Sequence, residues 1–172
     1  ATVLDIGLDI ELLSREEEAR LAVSGCASLL DTTSDLALVF DIGGGSTEFI
    51  IGRGLEAERL ESLTIGCVGM TQRFFGDGRL TATAFDAAET LARVEIEAIA
   101  GAFGAGAWRE AYASPGTAVA LADILEQNAF SGGGITAVGL ARLRRRMLDA
   151  GHVSHLKLNA LKGERAPVLA GG

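Results

Sequence analysis

The sequence predicts a mixed α/β domain, and three observations support that prediction. The run "LALVFDI", residues 36–42, is almost entirely apolar, as is typical of a strand covered on both faces. Two further strand-like segments follow it after short turns. Residues 85–103 and most of the chain after about residue 130 instead place apolar residues at helical spacing.

The front of the chain predicts one strand and one helix. Residues 8–13, "LDIELL", alternate enough for a short strand, and residues 15–30 have the pattern of a helix. Ser14 and Glu17 form a capping box, in which each side chain satisfies a backbone N–H of the other. On a helical wheel Glu18 lies at the edge of the apolar arc, whereas Glu17 points away from it. We therefore expect Glu18 to face the interior.

A strand meander and a series of helices follow. Residues 48–52 and 59–66 predict two strands after the first apolar run, and the short connections predict antiparallel pairing. Residues 85–103 predict a helix that is capped by Thr81 or Thr83 and ends near Gly104. The remaining predicted elements are a strand at 108–114, a helix at 116–127, a glycine connector at 131–136 and a helix that ends by residue 151.

Composition predicts an acidic, soluble, cytoplasmic domain. The 172 residues suit a single unit, 48% of them are apolar, and the net charge is −8. That charge argues against general nucleic-acid binding, and no stretch reaches the length of a membrane span. The first residues do not form a secretory signal. We expect Cys26 and Cys67 to be reduced, buried thiols and His152 and His155 not to form a zinc site.

The stretch "LVFDIGGGSTEFIIG", residues 38–52, is the strongest candidate site. Gly43, Gly44 and Gly45 tolerate positive φ and leave successive backbone N–H groups free to converge on an anion such as phosphate. Asp41 and Glu48 flank the glycines, and two carboxylates beside a phosphate require a cation between them. Mg²⁺ prefers such oxygen ligands. Ser46 and Thr47 add hydroxyl groups that can bind the phosphate or hold the loop.

Alternatives to this phosphate loop fit less well. A plain hairpin turn explains the glycines but leaves Glu48 and the apolar flanks unexplained. The sequence has neither the Gly-Lys-Ser/Thr of a P-loop nor a glycine fingerprint that opens a helix. The second triplet, in residues 131–136, lacks neighbouring carboxylates and is interpreted as a connector.

Several segments together resemble the exopolyphosphatase and guanosine pentaphosphate phosphatase (Ppx/GppA) family. In order they are "REEEARL", "VFDIGGGSTEFIIG", "IGCVGMTQRFF", "GLARLRRRML" and "ERAPVLAGG", and they extend over nearly the whole chain. The glycine segment also resembles the second phosphate loop of the actin, sugar-kinase and Hsp70 superfamily. The resemblance implies a ribonuclease H-like fold of two lobes, with the active site in the cleft between them.

The resemblance also implies roles for individual residues. Glu18 matches the general base that acts on the attacking water, and Asp41 and Glu48 match the acidic residues linked to the metal. The loop Gly43–Ser46 matches the residues that hold phosphate. The implied activity is Mg²⁺-dependent hydrolysis of terminal phosphoanhydride bonds of polyphosphate. Guanosine pentaphosphate (pppGpp) remains an alternative substrate. A non-catalytic phosphate-binding module and an ATPase lobe remain alternative functions. The resemblance also implies a homodimer.

Two departures from the family pattern qualify these implications. The family's first lobe, with its own phosphate loop, has no match in residues 1–172, and neither do its last segments. We therefore expect the chain to be a single lobe that is inactive by itself. "SPGT", residues 114–117, stands where the family usually has Ser-Gly-Thr, and Pro115 removes a backbone donor there.

The basic run 142–146 has two interpretations. It could line a channel for an anionic polymer, or form a solvated helix face with Leu143 and Met147 turned inward. Glu164 and Arg165 match a family position, but the sequence assigns them no role.

Overall fold

The computed structural model describes residues 17, 21, 35–54, 56–114 and 116–172. The predicted strand 8–13 and nearly all of the predicted helix 15–30 lie outside these residues, and with them Glu18 and Cys26. Glu17 and Leu21 are helical and exposed. The exposure of Glu17 agrees with the prediction that it points away from the interior.

A four-stranded sheet forms one layer of the part of the chain that the structure describes. Its strands are β1 (Ala37–Ile42), β2 (Thr47–Arg53), β3 (Glu56–Leu63) and β4 (Glu110–Ala113), in the spatial order β3-β2-β1-β4. The pairs β1–β2 and β2–β3 are antiparallel, which confirms the predicted meander. The fourth strand, also predicted, pairs with β1 in parallel. Parallel pairing needs a long crossover, and the chain between β3 and β4 supplies it.

Four helices accompany the sheet in the described residues. They are α1 (Cys67–Phe74), α2 (Ala82–Phe103), α3 (Thr117–Gln127) and α4 (Ala137–Ala150), and the 3₁₀ turns Val153–His155 and Ala166–Gly171 follow them. The Oγ1 of Thr81 accepts a hydrogen bond from the Ala84 N–H, so Thr81 rather than Thr83 caps α2. Gly104 ends the helix, as predicted. None of the described helices is long and apolar enough to cross a bilayer.

The central strands β1 and β2 carry buried residues on both faces of the sheet, as the apolar strand β1 predicts, whereas most of β3 is exposed. On one face Leu38 and Ile51 pack with Phe103 at the end of α2. On the other face Val39 and Ile50 form a smaller cluster. A larger core, in which all four helices take part, lies beyond the end of β3. Its buried members are Leu63, Ile65, Met70, Phe75, Leu80, Phe85, Ala88, Leu121, Ile124, Leu125, Leu143 and Met147. This core holds α1 firmly beside the turn that joins β1 to β2.

Candidate phosphate-binding loop

The three glycines form the turn between β1 and β2. The Gly43 N–H donates to the Ser46 carbonyl at 2.9 Å, which closes the turn immediately beyond the paired residues Ile42 and Thr47. Gly44 and Gly45 are exposed at its tip. The segment is therefore a β-hairpin.

Helix α1 binds the carbonyl groups of this turn. The Gly43 carbonyl accepts from Cys67 N–H at 2.9 Å, and the Gly44 carbonyl accepts from Val68 N–H at 2.9 Å. The Gly44 carbonyl also accepts from the Gly69 N–H at 3.1 Å. These donors belong to the first turn of α1, where a helix cannot satisfy its own N–H groups. Since α1 has no side-chain cap, the glycine turn serves as its cap.

This anchoring determines where the amides of the turn point. In a planar trans peptide the N–H points opposite to the C=O of the same unit, and no described peptide is cis. With the carbonyls of Gly43, Gly44 and Gly45 directed at the helix side, the N–H groups of Gly44, Gly45 and Ser46 point away from it. These three N–H groups make no hydrogen bond with any described residue. The turn therefore presents three successive donors that no described residue accepts, which a plain hairpin does not explain.

None of the three glycines has an unusual backbone, and only Gly43 is tightly confined. None of the three has φ in the left-handed region, contrary to the expectation from their tolerance of positive φ. A Cβ on Gly43 would lie 3.2 Å from the Ser46 carbonyl oxygen, a tight contact. A Cβ on Gly44 would make an ordinary contact with the Val68 side chain, and a Cβ on Gly45 would meet nothing within 4 Å.

Asp41 and Glu48 are directly opposite each other on β1 and β2. Direct cross-strand partners project to the same face, so the structure brings the two predicted acidic residues together. Glu48 is only 4% exposed, and its Oε1 accepts a hydrogen bond from Ser62 Oγ on β3 at 3.0 Å. Like charges at directly opposite positions destabilise a sheet. A cation between these carboxylates would remove that cost.

The turn before α3 also reaches this end of the sheet. Thr117 Oγ1 donates to the Ile42 carbonyl at 3.0 Å, which ties the first residue of α3 to the end of β1. Gly116 precedes it with φ of +104°, a conformation that favours glycine. Pro115, where the sequence departs from the family pattern, lies outside the described residues.

The basic run on α4 is engaged with the protein itself. Leu143 and Met147 are buried, as expected if the arginines of the run form a solvated helix face and these two residues turn inward. Arg142 donates to the Phe130 carbonyl at 3.0 Å, and Arg145 pairs with an aspartate four residues later on α4. Arg144 pairs with two acidic residues of α2, Asp86 and Glu89. These contacts favour the structural interpretation of the run over a polymer channel.

Sequence reasoning missed three residues that shape the site. Ser62 binds Glu48, Thr117 anchors β1, and Gly66 lies directly before α1 where it contacts the glycine turn. Gly66 had a visible signal, since it is the last residue of the predicted strand 59–66 and belongs to the motif "IGCVGMTQRFF", which was singled out for its resemblance. Ser62 and Thr117 had none, because their partners are 14 and 75 residues away in the chain.

Comparison with known proteins gives a consistent result. A sequence model of the Ppx/GppA phosphatase family matches residues 2–172. A Ppx/GppA family structure from Aquifex aeolicus aligns with a TM-score of 0.73 and 23% identity, covering 98% of this chain and 55% of its own. An exopolyphosphatase from Cytophaga hutchinsonii aligns with a TM-score of 0.68 and 22% identity, covering 89% of this chain and 53% of its own.

An exopolyphosphatase-like protein gives a similar alignment, with a TM-score of 0.74, 24% identity, and coverage of 97% of this chain and 55% of its own. At these identities the likeness shows a shared fold, and it confirms the predicted α/β architecture. The chain spans about half the length of the solved structures that it matches.

Proposed function

Because the chain belongs to the Ppx/GppA phosphatase family, we propose that it is one lobe of a hydrolase that cleaves terminal phosphoanhydride bonds. The substrate proposed first is inorganic polyphosphate, which fits the exopolyphosphatase names carried by similar structures. The glycine turn is the element that binds the terminal phosphate. A cytoplasmic location and a homodimer belong to the same proposal and rest on the sequence alone.

One observation carries this proposal: three successive amides of the turn point away from α1 and have no partner among the described residues. A phosphate presents several oxygens, each of which can accept such a donor. Hydrogen bonds from neutral N–H groups to a charged acceptor contribute about 1.5–3 kcal/mol each, roughly twice the value between neutral groups. Three amides held by one anchored turn would therefore bind a phosphate without a basic side chain.

The hydrolytic step that we propose uses Glu18, which matches the family's general base. Its carboxylate would orient a water molecule and accept a proton as the water oxygen attacks the terminal phosphorus. The bridging P–O bond then breaks, so that the terminal phosphate is released and the shortened phosphate chain leaves with the bridging oxygen. The turn's amides would hold the phosphoryl group in line and stabilise its negative charge. Glu18 lies outside the described residues, so this role rests on the sequence: its match to the family and its place on the predicted helix.

Asp41 and Glu48 fit a hard divalent cation such as Mg²⁺. Both supply carboxylate oxygens on one face of the sheet, and Glu48 is held by Ser62 through only one of its two oxygens. The described residues contain no group of three or more His, Cys, Asp or Glu side chains suited to a metal. The two carboxylates of Asp41 and Glu48 suit Mg²⁺, which commonly uses one or two carboxylates and completes its shell with water and phosphate oxygens. When bound, the ion would neutralise charge on the phosphate oxygens.

Guanosine pentaphosphate is the alternative substrate, because it ends in the same phosphoanhydride group and the turn would hold either terminal phosphate equally well. A non-catalytic binding module is the second alternative, and a family general base at Glu18 counts against it. Release of phosphate from each of the two substrates by the intact enzyme would distinguish the three cases.

The phosphate-binding role is testable by NMR on the 172-residue chain. Inorganic phosphate and pyrophosphate are titrated into ¹⁵N-labelled protein at constant ionic strength, with chloride as the control anion. We expect saturable shifts of the Gly44, Gly45 and Ser46 amides. We also expect tighter pyrophosphate binding in the presence of Mg²⁺, and loss of that Mg²⁺ effect in Asp41→Asn. Shifts that appear equally with chloride, or that avoid the turn, would contradict the proposal.

A further inference from the structure

We propose that Gly66 is a positioning residue for the phosphate loop: its lack of a side chain lets α1 approach the turn and aim its amides. This inference rests on the proposed function of the glycine turn. Gly66 precedes α1, is buried, and donates its N–H to the Gly45 carbonyl at 3.2 Å. It therefore holds the third of the three anchored carbonyls.

The space around Gly66 excludes any side chain. A Cβ built there would lie 2.5 Å from both the carbonyl carbon and the carbonyl oxygen of Gly44, and closer still to the carbonyl carbon of Gly45. These are backbone atoms, which cannot swing aside as the end of a flexible side chain can. The φ and ψ of Gly66, −82° and 157°, suit any residue. The requirement for glycine is therefore contact with the turn and not backbone conformation.

The segment before α1 cannot easily move away from the turn instead. Thr47 Oγ1 donates to the Ile65 carbonyl at 3.0 Å, and Thr47 is 4% exposed, so the first residue of β2 holds this segment. Ile65 itself is buried in the main core. An added Cβ at Gly66 should therefore displace the turn. Since each carbonyl and the following N–H belong to one rigid peptide unit, that displacement also turns the amides.

The test compares Gly66→Ala with a matched substitution elsewhere. Gly101→Ala is the control, because Gly101 is an exposed residue of α2 whose added Cβ would meet nothing within 4 Å. Phosphate and pyrophosphate are titrated into both variants and the wild type by NMR. We expect Gly66→Ala to weaken pyrophosphate binding by at least about tenfold, the value of one lost charge-assisted hydrogen bond. Gly101→Ala should bind as the wild type does.

The amides of α4 report whether Gly66→Ala keeps the fold, since Leu143 and Met147 of α4 are buried in the main core. If that variant does not fold, Thr47→Val decides the matter, because it removes only the hydrogen bond to Ile65 and keeps the side chain's shape. We then expect weaker pyrophosphate binding by Thr47→Val. Unchanged binding by a folded Gly66→Ala, or by Thr47→Val where that variant decides, would overturn the inference.

The same experiment separates this inference from the proposed function. If the wild type fails to bind phosphate through the turn, the proposed function fails and Gly66 has nothing to position. If the wild type binds and a folded Gly66→Ala binds equally well, the function stands and the role of Gly66 is wrong. A variant that loses binding while its α4 spectrum is unchanged supports both.

Discussion

Polar side chains at the end of the sheet hold the site through single, specific contacts. Thr47, Glu48 and Thr117 are the polar residues that the described structure buries, and all three lie where β1 and β2 approach the glycine turn. Each has a hydrogen-bond partner: the Ile65 carbonyl, Ser62 and the Ile42 carbonyl. Buried polar groups without partners would destabilise the fold. These contacts instead make the end of the sheet a fixed frame for the turn.

At the residue scale, Glu18→Gln should abolish turnover by the intact enzyme while leaving substrate binding unchanged. An amide cannot accept a proton from the attacking water, but it keeps the size and polarity of the side chain. Glu17→Gln is the control, since Glu17 is exposed and glutamine also serves in a capping box. Phosphate release and substrate affinity are measured for both variants. Turnover by Glu18→Gln at the wild-type rate would remove Glu18 from the role of base.

At the element scale, a helix and a turn satisfy each other's backbone groups. Helix α1 lacks a side-chain cap, and the carbonyls of the glycine turn accept its first N–H groups. Helices α2 and α4 use side chains instead, since Thr81 and Thr136 accept N–H groups of their first turns. Sequence reasoning does not predict α1, which is only eight residues long and has no side-chain cap. A cap formed by a distant turn leaves no local signal.

The cap of α2 gives a prediction with an internal control. Thr81→Ala should lower the free energy of unfolding by about 0.5–2 kcal/mol, because the Ala84 N–H loses its acceptor. Thr83→Ala should have almost no effect, since Thr83 is exposed inside the first turn and is not the N-cap. Denaturant unfolding of the two variants measures both values. Equal losses, or a larger loss for Thr83→Ala, would show that the cap is assigned wrongly.

At the scale of the whole molecule, the chain accounts for about half of each similar solved structure. Phosphoryl transfer depends chiefly on positioning the reactants and stabilising charge. We therefore expect the 172-residue chain alone to release phosphate at least about a hundredfold more slowly than the intact enzyme, from polyphosphate and from guanosine pentaphosphate. Phosphate binding at the glycine turn serves as the control that the chain is folded. Comparable turnover by the isolated chain would refute the single-lobe proposal.

The sequence by itself determined the elements and the family. Apolar runs and helical periodicity located β1 to β4 and helices α2 to α4, because these patterns reflect local burial along a strand or helix. The same local reasoning placed Asp41 and Glu48 on either side of the glycines. The quoted motifs identified the Ppx/GppA family, and the family model confirms it.

Only the tertiary structure decided how the turn is held and where its amides point. The parallel pairing of β4, the Ser62–Glu48 contact and the approach of Gly66 to the turn all join residues far apart in the chain. Such contacts depend on strand register and helix placement, which local pattern does not specify. For the same reason only the structure shows that Gly43 and Gly66 leave room for close backbone contact, and that none of the three glycines of the turn adopts positive φ.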